Sequence, residues 1–182
     1  MRKKDPNDFS LTRNEQKVLK NIIDIARISD SEIARTMGLS QQAIFKIRKK
    51  LEDAGIIEGY IPVINYRKIG ISLMVLMSVK ISSSVWGRFD EYEVNERLKK
   101  IPFVISAYRI PESDVSHFLL MGFRDSSQKD IFMMTLQKEC SDEIEVKNVY
   151  PFTVNRIIMQ NPMNLFHQLM DEKSFNIGSL FQ

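Results

Sequence analysis

The chain has 182 residues, of which 43% are hydrophobic and 27% charged, and its net charge is +3. That apolar share suits one large or two small cores and excludes a disordered chain. The charge is uneven: 14 Lys/Arg stand against 9 Asp/Glu before residue 70, and 12 against 14 from there on, so any nucleic-acid contact belongs to the first part.

Thr12 and Glu15 have capping-box spacing, and Val18, Leu19, Ile22, Ile23 and Ala26 follow at helical intervals, which predicts a first core-facing helix. Ser29 and Glu32 repeat the spacing before a short second helix that carries Ile33, Ala34 and Met37 inward and stops at Gly38. Ser40 then caps a third helix whose apolar stripe is Ile44, Ile47, Leu51 and Ala54, closed by Gly55. Opposite that stripe lie Gln42, Phe45, Lys46 and Lys49, with Gln41, Arg48 and Lys50 on the flanks.

Three helices with a Gly-containing turn before the last make a helix-turn-helix, which sends the third helix into a major groove. Glutamine pairs with adenine edges, and Lys or Arg reaches guanine or phosphate. The expected base-edge residues are therefore Gln42 and Lys46, followed by Gln41 and Phe45. Arg48, Lys49, Lys50 and the arm Arg2-Lys3-Lys4 are expected on phosphates, with Ser31 and Arg35 of the second helix beside them. Ile56 to Ile64 reads as a wing or linker strand.

The run Ile33-Ala34, Gly38-Leu39-Ser40 and Leu51-Glu52-Asp53-Ala54-Gly55-Ile56-Ile57-Glu58-Gly59-Tyr60, with Gly70 beyond it, resembles the N-terminal domain of the Lrp/AsnC, or feast/famine, regulators. Within the third helix, Phe45 and Ile47 stand where that family usually has polar residues.

From Ile71 to Ile81 every odd position is apolar, the period of a strand with one buried face. A helix is predicted over 90–100, strands over 104–110 and 117–123 around a turn at Pro111 to Asp114, a helix from Ser127 to about Cys140 with Ile131, Met134 and Leu136 inward, and a strand over 144–158 in which Pro151 marks a bulge or edge. This order is the ferredoxin-like βαββαβ arrangement. The expected fold is thus α+β: a winged helix-turn-helix over 1–59, a linker strand over 60–70, a ferredoxin-like effector and dimerisation domain over 71–159, and an extension over 160–182, where Leu165, Phe166 and Leu169 suggest a short helix packed on its own domain.

The resemblance, which covers about residues 12 to 158, implies a homodimer joined through the sheet, higher assemblies of dimers, and an amino-acid effector bound between subunits. Tyr108, Arg109, Asp114 and His117 are the expected effector contacts. The family's Gly-Asp-x-Asp-like loop is replaced here by Ser113-Asp114-Val115-Ser116-His117.

Enzyme chemistry finds little to work with. His117 and His167 lack zinc-ligand spacing, the glycines form no phosphate loop, and Cys140 is a lone cysteine, so no catalytic residue, metal or cofactor is expected. Sirohaem decarboxylases resemble the same two-domain architecture, and Ala107-Tyr108-Arg109 with His117-Phe118 is the nearest echo of their motif; a metabolite-sensing module on this architecture is the other alternative. The basic start lacks the apolar run of a signal peptide, and Ile71 to Val79 is too short to span a bilayer, so a soluble cytoplasmic protein without a membrane partner is expected. The main expectation is a transcriptional regulator binding double-stranded DNA at a pseudo-palindrome, as a dimer or an assembly of dimers.

Overall fold

A computed structural model describes residues 11–25, 27–110, 114–160 and 165. The arm Arg2-Lys3-Lys4, Ala26, positions 111–113 of the expected turn, and the C-terminal extension apart from Gln160 and Leu165 lie outside them. The chain divides between Val63 and Ile64 into two compact units, a break that falls inside the expected linker.

In the first unit, α1 (Arg13–Asp24) begins at a reciprocal cap. Thr12 N–H donates to the Glu15 carboxylate over 2.7 Å, and Glu15 N–H donates back to the Thr12 hydroxyl. Helix α2 (Asp30–Met37) repeats the device with Ser29 and Glu32, and ends where Gly38 turns left-handed at φ 65°. Helix α3 (Gln41–Asp53) starts at Ser40, whose hydroxyl accepts from Ala43 N–H at 3.1 Å. Val18, Leu19, Ile22, Ile33, Ala34, Ile44 and Leu51 form the core that ties the three helices together. Residues 56–65 form no strand. An extended segment becomes a strand only when a neighbour completes its hydrogen-bond ladder, and the described residues of this unit are otherwise helical. Ile61 and Val63 are consequently exposed.

The second unit opens with a 3-10 turn (Tyr66–Ile69) and β1 (Leu73–Ile81). It continues through a short α4 (Ser83–Trp86), α5 (Glu91–Leu98), β2 (Val104–Arg109), β3 (His117–Phe123), α6 (Ser126–Cys140) and β4 (Ile144–Thr153). The sheet is antiparallel in the order β2-β3-β1-β4. Register Val75↔Met121, Met77↔Leu119 and Val79↔His117 aligns one inward row, which Leu136 of α6 covers. Ile81, Val85, Val94 and Leu98 pack a second cluster with α5.

Two expectations change, and a third resolves to one of its two alternatives, the edge. Helix α6 is capped by Asp125, which accepts from Gln128 N–H at 2.8 Å, rather than started by Ser127. Phe132, Met133, Leu136 and Cys140 then make its inward stripe, leaving Ile131 and Met134 at 63% and 71% exposed instead of buried. Second, the even row of β1 is buried in part: Met74 and Ser78 are buried, and Leu76 and Lys80 are half-buried. Met74 pairs with Gly122, over which the side chains of Ile71 and Ile105 lie, and Asn148 donates to the Ser78 hydroxyl. Third, Pro151 sits on edge strand β4, while the register shift in that ladder falls at Ser78/Val79.

Candidate nucleic-acid interface

Helix α3 buries Ile44 and Leu51 completely and turns Gln41, Gln42, Phe45, Lys46 and Lys49 to the solvent. Gln42, Phe45, Lys46 and Lys49 are three and four residues apart and so form one outward row. Phe45 is 54% exposed on this cationic row, an apolar group left without cover. Among the described residues, Lys46 and Lys49 make no ion pair. Ser31 and Arg35 are exposed on α2, and the Ser31 hydroxyl lies 3.0 Å from that of Ser29.

Two basic residues expected on phosphate are engaged elsewhere. Arg48 lies four residues after Ile44 and three before Leu51, on the core side of α3, and its side chain is only 15% exposed. Its guanidinium donates to Asp30 Oδ1 at 2.6 Å, to Ile28 O at 3.1 Å and to the Tyr60 hydroxyl at 3.1 Å. Tyr60 in turn donates to Glu52 at 2.8 Å. Lys50 Nζ lies 2.5 Å from Glu15, whose side chain is buried, and this bond, with the Thr12 N–H, holds the carboxyl down at about 2. Arg48 and Lys50 therefore brace α3 rather than extend the outward row. The sequence offered no warning, because Asp30 and Glu15 lie 18 and 35 residues away from their partners.

The residues expected to hold an effector separate. Tyr108 and Arg109 are consecutive in β2 and face opposite sides of the sheet. Arg109 stands over the Trp86 ring at 5.0 Å and 3.4 Å from Glu91, while Trp86 stacks on His117 at 6.4 Å. His117 is buried and neutral, its pKa lowered to about 4 by burial and by the Arg109 charge. Tyr108 is half-exposed on the other face, and Asp114 pairs with Lys147 at 2.9 Å. Arg109 and His117 thus come together, and Tyr108 and Asp114 stand apart. Trp86 and Glu91 complete the cluster and were missed, since α4 is one turn long and nothing in its sequence marks it.

Residues 11–58 match the family model described as winged helix-turn-helix DNA-binding. The transcriptional regulator LrpA of Pyrococcus abyssi is 40% identical over 93 residues, which is 49% of this chain and 62% of that protein. Escherichia coli AsnC superimposes on 84% of this chain and 97% of its own, with a TM-score of 0.63 at 17% identity. These matches support an Lrp/AsnC-type regulator. The chain spans less than two thirds of the length of LrpA. Another solved structure, a transcriptional regulator of Neisseria meningitidis in complex with L-Met, covers 84% of this chain and 94% of its own at a TM-score of 0.68 and 20% identity.

Proposed function

We propose that this Lrp/AsnC-type protein is a sequence-specific transcriptional regulator that binds double-stranded DNA through α3. The observation that carries the reading is the row Gln42, Phe45, Lys46 and Lys49, exposed together on a helix whose opposite side is fixed in a core. In a major groove, Gln42 and Lys46 meet base edges, with Gln41 beside them, Phe45 meets a thymine methyl, and Lys49 with Ser31 and Arg35 holds phosphate.

A homodimer, or an assembly of dimers, would present two such helices about one DNA turn apart, roughly 34–36 Å, and read a pseudo-palindrome. The outer face of the sheet supports this: Leu76, Phe118 and Leu120 are only partly buried there, flanked by the half-exposed Tyr108 and Tyr150. A small-molecule effector acting on the second unit belongs to the same proposal. The decarboxylase alternative is not favoured, because the relatives are named as transcriptional regulators. No helix among the described residues is long and apolar enough to cross a membrane.

Selection of bound fragments from genomic DNA tests the reading. An enriched pseudo-palindrome with half-sites spaced by a whole number of turns is expected; recovery of fragments no different from the input would overturn it.

A further inference from the structure

The linker is fastened to the first unit by one side chain. Before it, Ile57 N–H donates to Leu51 O at 3.2 Å, and after it Asn65 accepts from Lys68 N–H at 3.2 Å to cap the 3-10 turn. Among the described residues, the backbone of 58–64 makes no hydrogen bond to other backbone, and the Tyr60 hydroxyl makes the segment's side-chain hydrogen bonds. Ile61 and Val63 are 86% and 75% exposed, so packing adds little to that attachment.

The hydroxyl is held from two sides. The Arg48 guanidinium, already oriented by Asp30 Oδ1 and Ile28 O, donates to it at 3.1 Å, and the hydroxyl donates in turn to Glu52 Oε1 at 2.8 Å. Arg48 and Glu52 are four residues apart and lie one above the other on α3, so the two bonds fix Tyr60 along the helix axis. A hydroxyl whose proton and lone pair are both committed is set in direction as well as in place.

We infer that Tyr60 is a positioning residue for DNA binding. It clamps the outgoing linker to the C-terminal half of α3, which sets the direction in which the chain leaves the reading helix. The half-site spacing that a pair of such helices accepts is set with it. This rests on the reading that α3 binds DNA in a dimer, and the clamp is therefore tested first without DNA.

In the 15N-labelled full chain, the amides of Ile61 and Val63 should be nearly as rigid as those of α3, with order parameters of about 0.85. Tyr60→Phe, which keeps the ring beside Arg48 and loses both hydrogen bonds, should lower them below about 0.6. Linker amides that are already flexible in the wild type, or unchanged in Tyr60→Phe, overturn the inference whatever happens on DNA. The second measurement uses duplexes that carry the selected pseudo-palindrome at its own spacing or lengthened by one to five base pairs. Each added pair moves the half-sites about 3.4 Å and roughly 35° apart. Wild type should prefer the original spacing, and Tyr60→Phe should cut that preference about tenfold while binding a single half-site as wild type does. Glu52→Ala should act in the same direction and add nothing when combined with Tyr60→Phe, since both remove one clamp. Equal spacing preference in wild type and variants, or loss of single half-site binding by Tyr60→Phe, overturns the positioning role. A wild type that selects no spaced pair fails the DNA reading and the positioning role together, and the order parameters then show separately whether the clamp exists.

Discussion

Arg48 Nε donates to Asp30 Oδ1 across 2.6 Å, so the middle of α3 is bolted to the first residue of α2. Two further donations, to Ile28 O and the Tyr60 hydroxyl, leave the guanidinium little to offer DNA. Arg48→Ala is expected to lower unfolding free energy by about 1.5–3 kcal/mol, the range for hydrogen bonds to charged groups. Arg48→Lys should recover only part of it, since an ammonium lacks the fork that spans three acceptors. Urea titration gives both values. The salt dependence of DNA binding, measured on the folded variants, should keep the wild-type slope; a slope reduced by about one would return Arg48 to the phosphate contacts.

Lys49 and Gln42 differ from Arg48 and from each other. Lys49→Ala should weaken binding to every duplex alike and reduce the salt slope by about one, whereas Gln42→Ala should cost about 1–3 kcal/mol on the selected site and little on random DNA. Fluorescence anisotropy on the two duplexes at several salt concentrations separates the roles. Equal losses on both duplexes for Gln42→Ala would remove it from the base edges.

Glu15 makes stability depend on acid in a defined direction. Its carboxyl falls from the ordinary 4.5 to about 2, chiefly through the bond from Lys50 and then the Thr12 N–H. A depressed carboxyl stabilises the fold above its unfolded pKa and loses that contribution as pH drops through the folded one. Glu15→Gln should therefore be less stable than wild type at neutral pH, with the gap shrinking below about pH 4.5 and nearly gone by pH 2. Denaturation midpoints across that range check it, and a gap that widens on acidification would refute it.

Gly38 and Gly59 provide a matched backbone test. An added Cβ meets nothing within 4 Å at either position, yet Gly38 sits at φ 65° and Gly59 is outside the left-handed region. Gly38→Ala should cost about 1–2 kcal/mol, from the left-handed backbone alone. Gly59→Ala should be neutral or stabilise by roughly 0.5 kcal/mol through the unfolded chain. Comparable losses in thermal scans would mean that something besides φ governs the turn.

For the proposed dimer, the paired substitution Tyr108→Glu and Tyr150→Glu places two charges on the outer face of the sheet at half-exposed positions. Self-association measured by sedimentation should weaken at least about tenfold, one step of roughly 1.4 kcal/mol, with the unfolding midpoint little changed. An unaltered dimer would move the interface elsewhere.

Local chemistry was legible wherever the partners were near in sequence. Thr12 with Glu15, Ser29 with Glu32, and Gly38 each act within four residues, and the structure uses all of them as read. The strand predicted over 117–123 likewise matches the structure to the residue. Long-range pairing was not legible: Arg48, read on the flank of the outward row, turns to the core side because Asp30 of α2 receives it. The inward side of α6 failed for another reason. Its apolar residues, with Ile131 to Met134 in an unbroken run, lie almost all around the helix, so their spacing does not single out the side that meets the sheet. The candidate effector residues failed through the pleat, which sends neighbours Tyr108 and Arg109 to opposite faces however close they stand in the chain.

Gly122 carries one more consequence. A Cβ there would come within 3.1 Å of Ile105 Cδ1 and 3.2 Å of Ile71 Cγ2, so the absence of a side chain is what lets those two isoleucines settle against β3. Descendants of this sequence are therefore not free to change position 122 alone. Where alanine or serine replaces the glycine, a slimmer residue should replace isoleucine at 71 or 105, and the three sites should drift as a set.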